Sequence, residues 1–262
     1  MEGNNKNIVI CGYPKSGTTW LTRLVGEMLD CPVTGSWGFS NDFLTAEGEE
    51  RISEYRCFKS HHVYEELLNS NNDIHRVIYI YRDPRDVVIS GAHHFIFIPD
   101  IFKKILGALV KSDYWRFWIQ SKLNLLVPLR KRKNLMTDLV LGNRRIKLKW
   151  LDLSWSDHIN EFRNKDVLII KYEDLVKSRY EIIKDIMVYL GKDTAHERIE
   201  ELCNYSSFET MKKGFEERED YFNQRLMRSG KSDQWKSDLP KKLAEKITLA
   251  NESLLKELGY EV

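Results

Sequence analysis

The sequence contains no run approaching the ~20 apolar residues of a membrane-spanning helix, and its opening residues, MEGNNKN, are polar where a secretion signal would be apolar. A chain with neither feature is expected in the cytoplasm, with no membrane partner. Cysteine is scarce. Cys11, Cys31, Cys57 and Cys203 show no paired spacing, which excludes a zinc-finger arrangement and a disulfide framework and leaves four reduced thiols. An excess of one charge is lacking too: 41 lysines and arginines face 39 aspartates and glutamates, a net charge of +2, so nothing marks a dedicated nucleic-acid binder. No internal repeat or low-complexity tract occurs. The remainder is a globular composition, 42% hydrophobic over 262 residues, enough for one domain with a sizeable core.

The pattern of the chain is α/β. NIVIC (7–11) is a short apolar run, and after the turn GYPKSGTTW (12–20) the residues Trp20, Leu21, Leu24, Val25, Met28 and Leu29 recur at helical spacing. RVIYIYR (76–82) and DVLIIKY (166–172) are nearly continuous in apolar residues, as strands covered on both faces tend to be, and YRCFKS (55–60) is a weaker strand signal. Later helices carry Ile182, Ile183, Ile186, Met187 and Leu190 on one face, and Leu243, Ile247, Leu254 and Leu258 on another. This alternation predicts a P-loop-type, doubly wound parallel sheet flanked by helices, in a single domain over residues 1–262. The segment 95–150 departs from it, mixing apolar clusters with the basic runs RKRK and RRIKLK. Its basic residues from Arg130 to Lys149 are expected on the surface or on a mobile lid.

The glycine-rich turn supplies the chemistry. Successive backbone N–H groups leading into a helix N-terminus form a positive cavity for phosphate. Gly12 and Gly17 keep the separation of the nucleoside-triphosphate loop, but Thr18 stands where that loop has its lysine, and Lys15 lies inside the turn instead. At the end of RVIYIYR, where a triphosphate enzyme places a metal-binding aspartate, the residue is Arg82. A guanidinium grips phosphate directly, as a fork. Side-chain cations thus replace a metal, and no metal ligand set is assigned.

YPKSGTTW together with YRDPRDVVIS (81–90) resembles the two cofactor-binding segments of the sulfotransferases that use 3′-phosphoadenosine 5′-phosphosulfate (PAPS), and LMRSGKSDQW (226–235) resembles that family's later R-K-G segment. KYEDL (171–175) and YSSFETMKK (205–213) follow in the same order. The resemblance implies sulfonate transfer from PAPS to a hydroxyl or amine of a small-molecule acceptor, leaving 3′-phosphoadenosine 5′-phosphate. It places Lys15, Ser16, Gly17, Thr18 and Thr19 on the 5′-phosphosulfate and Trp20 against adenine, although Trp20 alone reads equally as core. It places Arg82 and Ser90 on the 3′-phosphate, with Arg228 and Gly230 closing from the late loop. Ser229 stands where the family usually has lysine. Tyr172, Ser207 and Phe208 match nucleoside-contacting positions, with apolar packing as the alternative for the two aromatics.

Within FKSHH (58–62), His61 aligns with the family's catalytic histidine and Lys59 with the lysine that stabilises the transferring group, while His62 reads as structural. His93 and His94 are a rival base pair or, with Phe95, Tyr114 and Trp115, part of the acceptor pocket, which the segment 95–150 is expected to wall and close. The acidic stretch NDFLTAEGEE (41–50) suits a cationic acceptor, such as a hydroxylated alkaloid, or is a solvated loop. Two other functions share the fold: a P-loop small-molecule kinase, which lacks its lysine and aspartate here, and a noncatalytic nucleotide-binding module, which would need neither Lys59 nor His61. Lys236 and Glu245 keep the ends of the family's dimerisation segment, but its apolar centre is replaced by Pro240 and Lys241, which predicts a monomer or a weak homodimer.

Overall fold

The computed structural model describes residues 6–38, 46–69, 73–143, 153–217 and 229–262. The chain gathers into two compact units, residues 1–83 with 148–233, and residues 84–147 with 234–262.

The first unit holds a five-stranded sheet of β1 (Lys6–Cys11), β2 (Val33–Ser36), β3 (Tyr55–Ser60), β4 (Ile74–Tyr81) and β5 (Leu168–Lys171), in the order β2-β3-β1-β4-β5 with every pairing parallel. β1 lies at the centre. Ile8, Val9, Ile10 and Cys11 are completely buried, which is why the run is apolar on both faces and does not alternate. The edge strand β2, VTGS, is too short and too weakly apolar to register as a strand in the sequence.

Helices α1 (Thr18–Met28), α2 (Tyr64–Leu68), α7 (Trp155–Asn160), α8 (Tyr172–Lys177), α9 (Arg179–Tyr189), α10 (His196–Tyr205) and α11 (Phe208–Glu217) complete this unit. α1 buries Trp20, Leu21, Leu24, Val25 and Met28 in one core with Ile8, Ile10, Ile78, Ile80, Ile183 and Ile186. A second cluster is aromatic: Tyr79 stacks on Phe162 at 4.2 Å, and His158 packs parallel to both.

The pairing register positions the site. Cys11 is level with Ser60 and with Tyr79, and Tyr81 with Lys171. Four chain segments therefore leave the sheet at one edge: the turn after β1, His61 after β3, Arg82 after β4 and Tyr172 after β5. This is the carboxyl edge, where open parallel sheets carry their ligands.

The second unit comprises α3 (Pro84–His94), α4 (Asp100–Leu109), α5 (Asp113–Asn124), α6 (Leu129–Val140), α12 (Trp235–Asp238), α13 (Lys241–Ala250) and α14 (Glu252–Glu257). Much of the irregular segment is thus helical. α3 and α6 approach closely at Gly91, where an added Cβ would lie 2.5 Å from Met136 Sδ. The Arg85 guanidinium lies 3.7 Å above the Trp235 ring and donates to Thr248 Oγ1, while Asp86 Oδ1 accepts from Trp235 N at 2.9 Å. Lys236 forms an ion pair with Glu261 of its own chain at 2.7 Å.

Two basic residues depart from the surface placement expected of them. Arg132 and Lys133 are buried, because carbonyls that would otherwise go unsatisfied receive their protons. Arg132 donates to Val127 O and Ala92 O at 3.1 Å, and Lys133 donates to Asp238 O. Replacing Arg132 by Ala strips a charged donor from two carbonyls, each costing roughly 1–3 kcal/mol when left orphaned. We expect Arg132→Ala to lower stability by about 3 kcal/mol in urea unfolding followed by circular dichroism, and an unchanged midpoint would show that water replaces the guanidinium.

Candidate active site

The turn after β1 is shaped for an anion. Lys15 and Gly17 both have positive φ, 73° and 103°, and for lysine this left-handed conformation is strained. Such a backbone turns successive N–H groups to one side, the geometry of an anion-binding nest. A Cβ on Gly12 would lie 2.3 Å from Ile80 O, and one on Gly17 2.7 Å from Tyr172 Cδ2, so both positions require glycine. The first turn of α1 contains no acidic residue to compete for its N–H groups. Ser16 Oγ is buried with no hydrogen-bond partner. An orphaned hydroxyl at the floor of a cationic turn fits an incoming phosphate or sulfate oxygen.

His61 is the first residue past β3, so its side chain is aimed by a specific bond and not by strand alternation. Its Nδ1 lies 2.7 Å from Gly12 O. A carbonyl accepts only, so Nδ1 carries the proton and Nε2 keeps its lone pair. Burial, together with the nearby Lys59 and Lys15 cations, pushes the His61 pKa down to about 3. The side chains of Lys15, Lys59 and His61 are thereby brought together, with the histidine held neutral. His62 faces Gly38, where a Cβ would meet its Cε1 at 3.1 Å, in keeping with a structural role.

Sequence reasoning passed over the group behind His61. His158, completely buried, donates from Nε2 to His61 O at 3.0 Å, which leaves Nδ1 to accept from Tyr79 O–H at 2.8 Å. Burial lowers its pKa to about 4, so it too is neutral. Nothing in the local pattern WSDHINEF singles it out, because its partners come from β4 and from the residue after β3.

Arg82 is held at both ends. Its carbonyl accepts from Trp155 Nε1 at 3.0 Å, its Nη2 donates to Lys231 O at 2.8 Å, and its guanidinium lies 4.2 Å from the Tyr172 ring centroid. Tyr172 also meets Trp20 edge to face at 5.7 Å, and Trp20 donates from Nε1 to Ser206 O at 2.9 Å. Both aromatics are therefore buried parts of the core that brace the turn. Glu173, in the KYEDL segment, accepts from Asp83 N at 3.1 Å and fixes the chain just past Arg82. Ser207 Oγ accepts from Thr210 N at 3.1 Å and caps α11. Gly230, at φ 61°, rests on the Phe208 ring, 2.4 Å from a Cβ placed there. The neighbouring Ser229 is half-buried, and Arg228 lies outside the described residues.

The remaining positions belong to the second unit. Ser90 is partly exposed on an otherwise buried stretch of α3. His93 is exposed at the end of that helix, and His94 packs against Phe95 at 5.2 Å. Asn124 ties this helix end down, accepting from Phe97 N and donating to Phe95 O. Tyr114 lies in α5, and Trp115 on the same helix is exposed. Residues 41–45 of the acidic stretch fall outside the described residues. Among the described residues there is no cluster of three or more His, Cys, Asp or Glu able to hold a metal, and no helix long and apolar enough to cross a membrane.

Comparison with known proteins identifies the family. The chain is 26% identical to a mouse protein, sulfotransferase 2A6, over 89% of this chain and 78% of that one, and 24% identical to the luciferin sulfotransferase of Photinus pyralis over 94% and 70%. Its fold is similar to the crystal structure of mouse sulfotransferase SULT7A1 complexed with PAP, with a TM-score of 0.63 at 22% identity, covering 96% of this chain and 85% of that one. The family described as the sulfotransferase domain matches residues 5–259, and with nearly the whole chain accounted for, this protein is a member of the sulfotransferase family.

Proposed function

We propose that the protein transfers a sulfonate group from PAPS to a hydroxyl or amine of a small-molecule acceptor, with His61 as general base. The observation that carries this reading is the neutral His61, its proton fixed on Nδ1 by the bond to Gly12 O so that the lone pair is on Nε2, beside the cations of Lys15 and Lys59. In the reaction the acceptor's O–H or N–H proton passes to Nε2, the acceptor atom bonds to sulfur, and the bond from sulfur to the phosphate oxygen breaks. The proton removed and the anion released are met by different groups of this chain. Lys15, Ser16, Gly17, Thr18 and Thr19 receive the departing phosphate, and Lys59 steadies the group in transit, charge developing where donors already point. Arg82 and Gly230, with Arg228, Ser229 and Ser90 from the family resemblance, hold the 3′-phosphate. Trp20, Tyr172, Ser207 and Phe208 are assigned to the nucleoside side, with Trp20 and Tyr172 acting through the packing that braces the turn.

His158 and Tyr79 are positioning residues in this reading. They touch no reacting atom, but their chain of hydrogen bonds fixes the His61 carbonyl and hence the approach of its ring. The acceptor side is assigned to His93 and His94, which the helix from Pro84 carries past the phosphate contacts, and to Phe95, Tyr114 and Trp115 from the apolar clusters that follow. A hydroxylated cationic metabolite such as an alkaloid is the acceptor class that the acidic stretch 41–50 favours; of its carboxylates Glu49 and Glu50 are exposed, while Glu47 pairs with Arg23. Metal independence follows from the residues themselves, since Arg82 occupies the place of a metal-binding carboxylate. Cytoplasmic location and a monomer or weak homodimer accompany this reading.

His61→Ala should lower turnover by roughly 10²- to 10⁴-fold, the usual contribution of a positioned general base, while calorimetry shows unchanged affinity for 3′-phosphoadenosine 5′-phosphate. Full activity in that variant beside a dead His93→Ala would move the base to the second unit. Arg82→Ala should weaken binding of the same nucleotide by about 1.5–3 kcal/mol, the value of a charge-assisted hydrogen bond, and have no effect on an analogue without the 3′-phosphate. An equal penalty for both ligands would place Arg82 elsewhere on the nucleotide.

The depressed pKa values of His61, about 3, and His158, about 4, also set a pH dependence. An unfolded histidine titrates near 6.5. As pH falls below that value the unfolded chain takes up protons that the folded one refuses, so their stability contribution is complete above about pH 6.5 and is lost progressively as pH falls to about 4 for His158 and about 3 for His61. The melting midpoint should therefore fall across this window, and more shallowly in His158→Gln, which removes one of the two groups. Over the same window kcat/KM of the wild type, corrected for the folded fraction, should stay level where an ordinary histidine base would lose activity. A tenfold loss per unit below pH 6.5 would show that His61 titrates normally.

A further inference from the structure

Most of the large apolar side chains that stand exposed among the described residues fall between residues 101 and 126. α4 buries none of its residues. Ile101, Phe102, Ile105 and Leu109 recur on one side of it at helical spacing, and Lys103 and Lys104 flank the opposite side. On and just after α5, Trp118 and Leu126 are exposed as well, Leu126 at 78% and Leu109 of α4 at 76%. A stripe of this kind turned to solvent marks a surface for another molecule, because a soluble chain rarely displays so contiguous an apolar patch.

The surrounding charge identifies that molecule. Residues 100–131 carry seven lysines and arginines, none of them buried, against two aspartates, although the whole chain is only at +2. A second copy of this chain would bring one cationic face against another across a two-fold axis, which repels. An anionic bilayer offers both complements at once, hydrocarbon for the stripe and phosphate for the cations. Short helices with Phe, Trp and Leu on one side and Lys on the other have the composition of segments that lie in the interface plane. At ten residues, roughly 15 Å long, α4 is too short to cross a bilayer and long enough to lie on it.

We infer that the α4–α5 surface docks this protein on an anionic membrane, with the apolar face of α4 in the headgroup region and the lysine stems reaching back to the phosphates. The absence of a spanning helix bears on crossing a bilayer and not on lying against one. This assignment is independent of the catalytic reading.

Co-sedimentation of the full chain with phosphatidylcholine vesicles, with and without phosphatidylserine, tests it. The protein should pellet with the serine-containing vesicles, less so as salt rises, and remain largely in solution with phosphatidylcholine alone. Phe102→Glu combined with Leu109→Glu should weaken vesicle binding by about tenfold or more while preserving the circular dichroism spectrum and melting midpoint. Should that variant misfold, Lys103→Glu with Lys104→Glu serves in its place and should lose the preference for anionic vesicles. Failure of the wild type to pellet with anionic vesicles at low salt would overturn the proposal. So would vesicle binding untouched by both variants, which would put the contact elsewhere on the chain, or a dimer seen by light scattering without lipid that the first variant dissolves, which would assign the face to a second copy.

Discussion

The hydrogen bond between His61 Nδ1 and the Gly12 carbonyl is the contact on which the site depends. It joins the residue after β3 to the first residue of the glycine-rich turn, so the imidazole and the turn cannot be placed independently. It also decides the tautomer: with the proton on Nδ1, the lone pair is on Nε2. The bond is possible because Cys11 and Ser60 stand level in a parallel pair, which brings the ends of β1 and β3 to neighbouring points on one edge of the sheet. Gly12 must be glycine for the turn to pass beneath Ile80, and its carbonyl is thereby aimed where a side chain would forbid it.

From that contact two shells extend through the first unit. One is polar, running from Tyr79 through His158 to the His61 carbonyl. Every member is neutral and each donor has an acceptor, so the chain of bonds stiffens the site without burying a charge. The other shell is aromatic and cationic. Tyr172 separates Gly17 from Arg82, Trp20 closes on Tyr172, and Trp155 holds the Arg82 carbonyl. The groups suited to anions are thus mounted on fully packed side chains. Fixed donors of this kind need no rearrangement as charge develops on a leaving phosphate, which is where sulfonate transfer demands stabilisation.

The second unit obeys different physics. α3 and α6 pack through a glycine against methionine, and buried Arg132 and Lys133 satisfy carbonyls at helix ends and loops. Beyond them α4 and α5 show apolar side chains to solvent in a cationic setting. α4 is amphipathic as a single helix, and none of its residues is buried among the described residues.

The sequence by itself determined the central strands of the sheet and the glycine-rich turn. The apolar runs within 7–11, 76–82 and 166–172 read as strands, the glycines at 12 and 17 admit a backbone that other residues would obstruct, and Lys15 with Arg82 puts cations where a triphosphate enzyme would have its loop lysine and metal-binding carboxylate. These signals are local, each legible within about ten residues. The helical nature of much of the 95–150 segment was not, since its apolar clusters are not buried on one common face and its cations are divided between buried carbonyl partners and the surface. Tertiary structure alone decided which nitrogen of His61 carries the proton, because that depends on a carbonyl 49 residues away. It alone brought in His158, whose partners lie 79 and 97 residues distant. It also made Trp20 and Tyr172 braces of the turn, since edge-to-face packing between the first helix and the residue after the last strand exists only once the parallel register has brought those ends together.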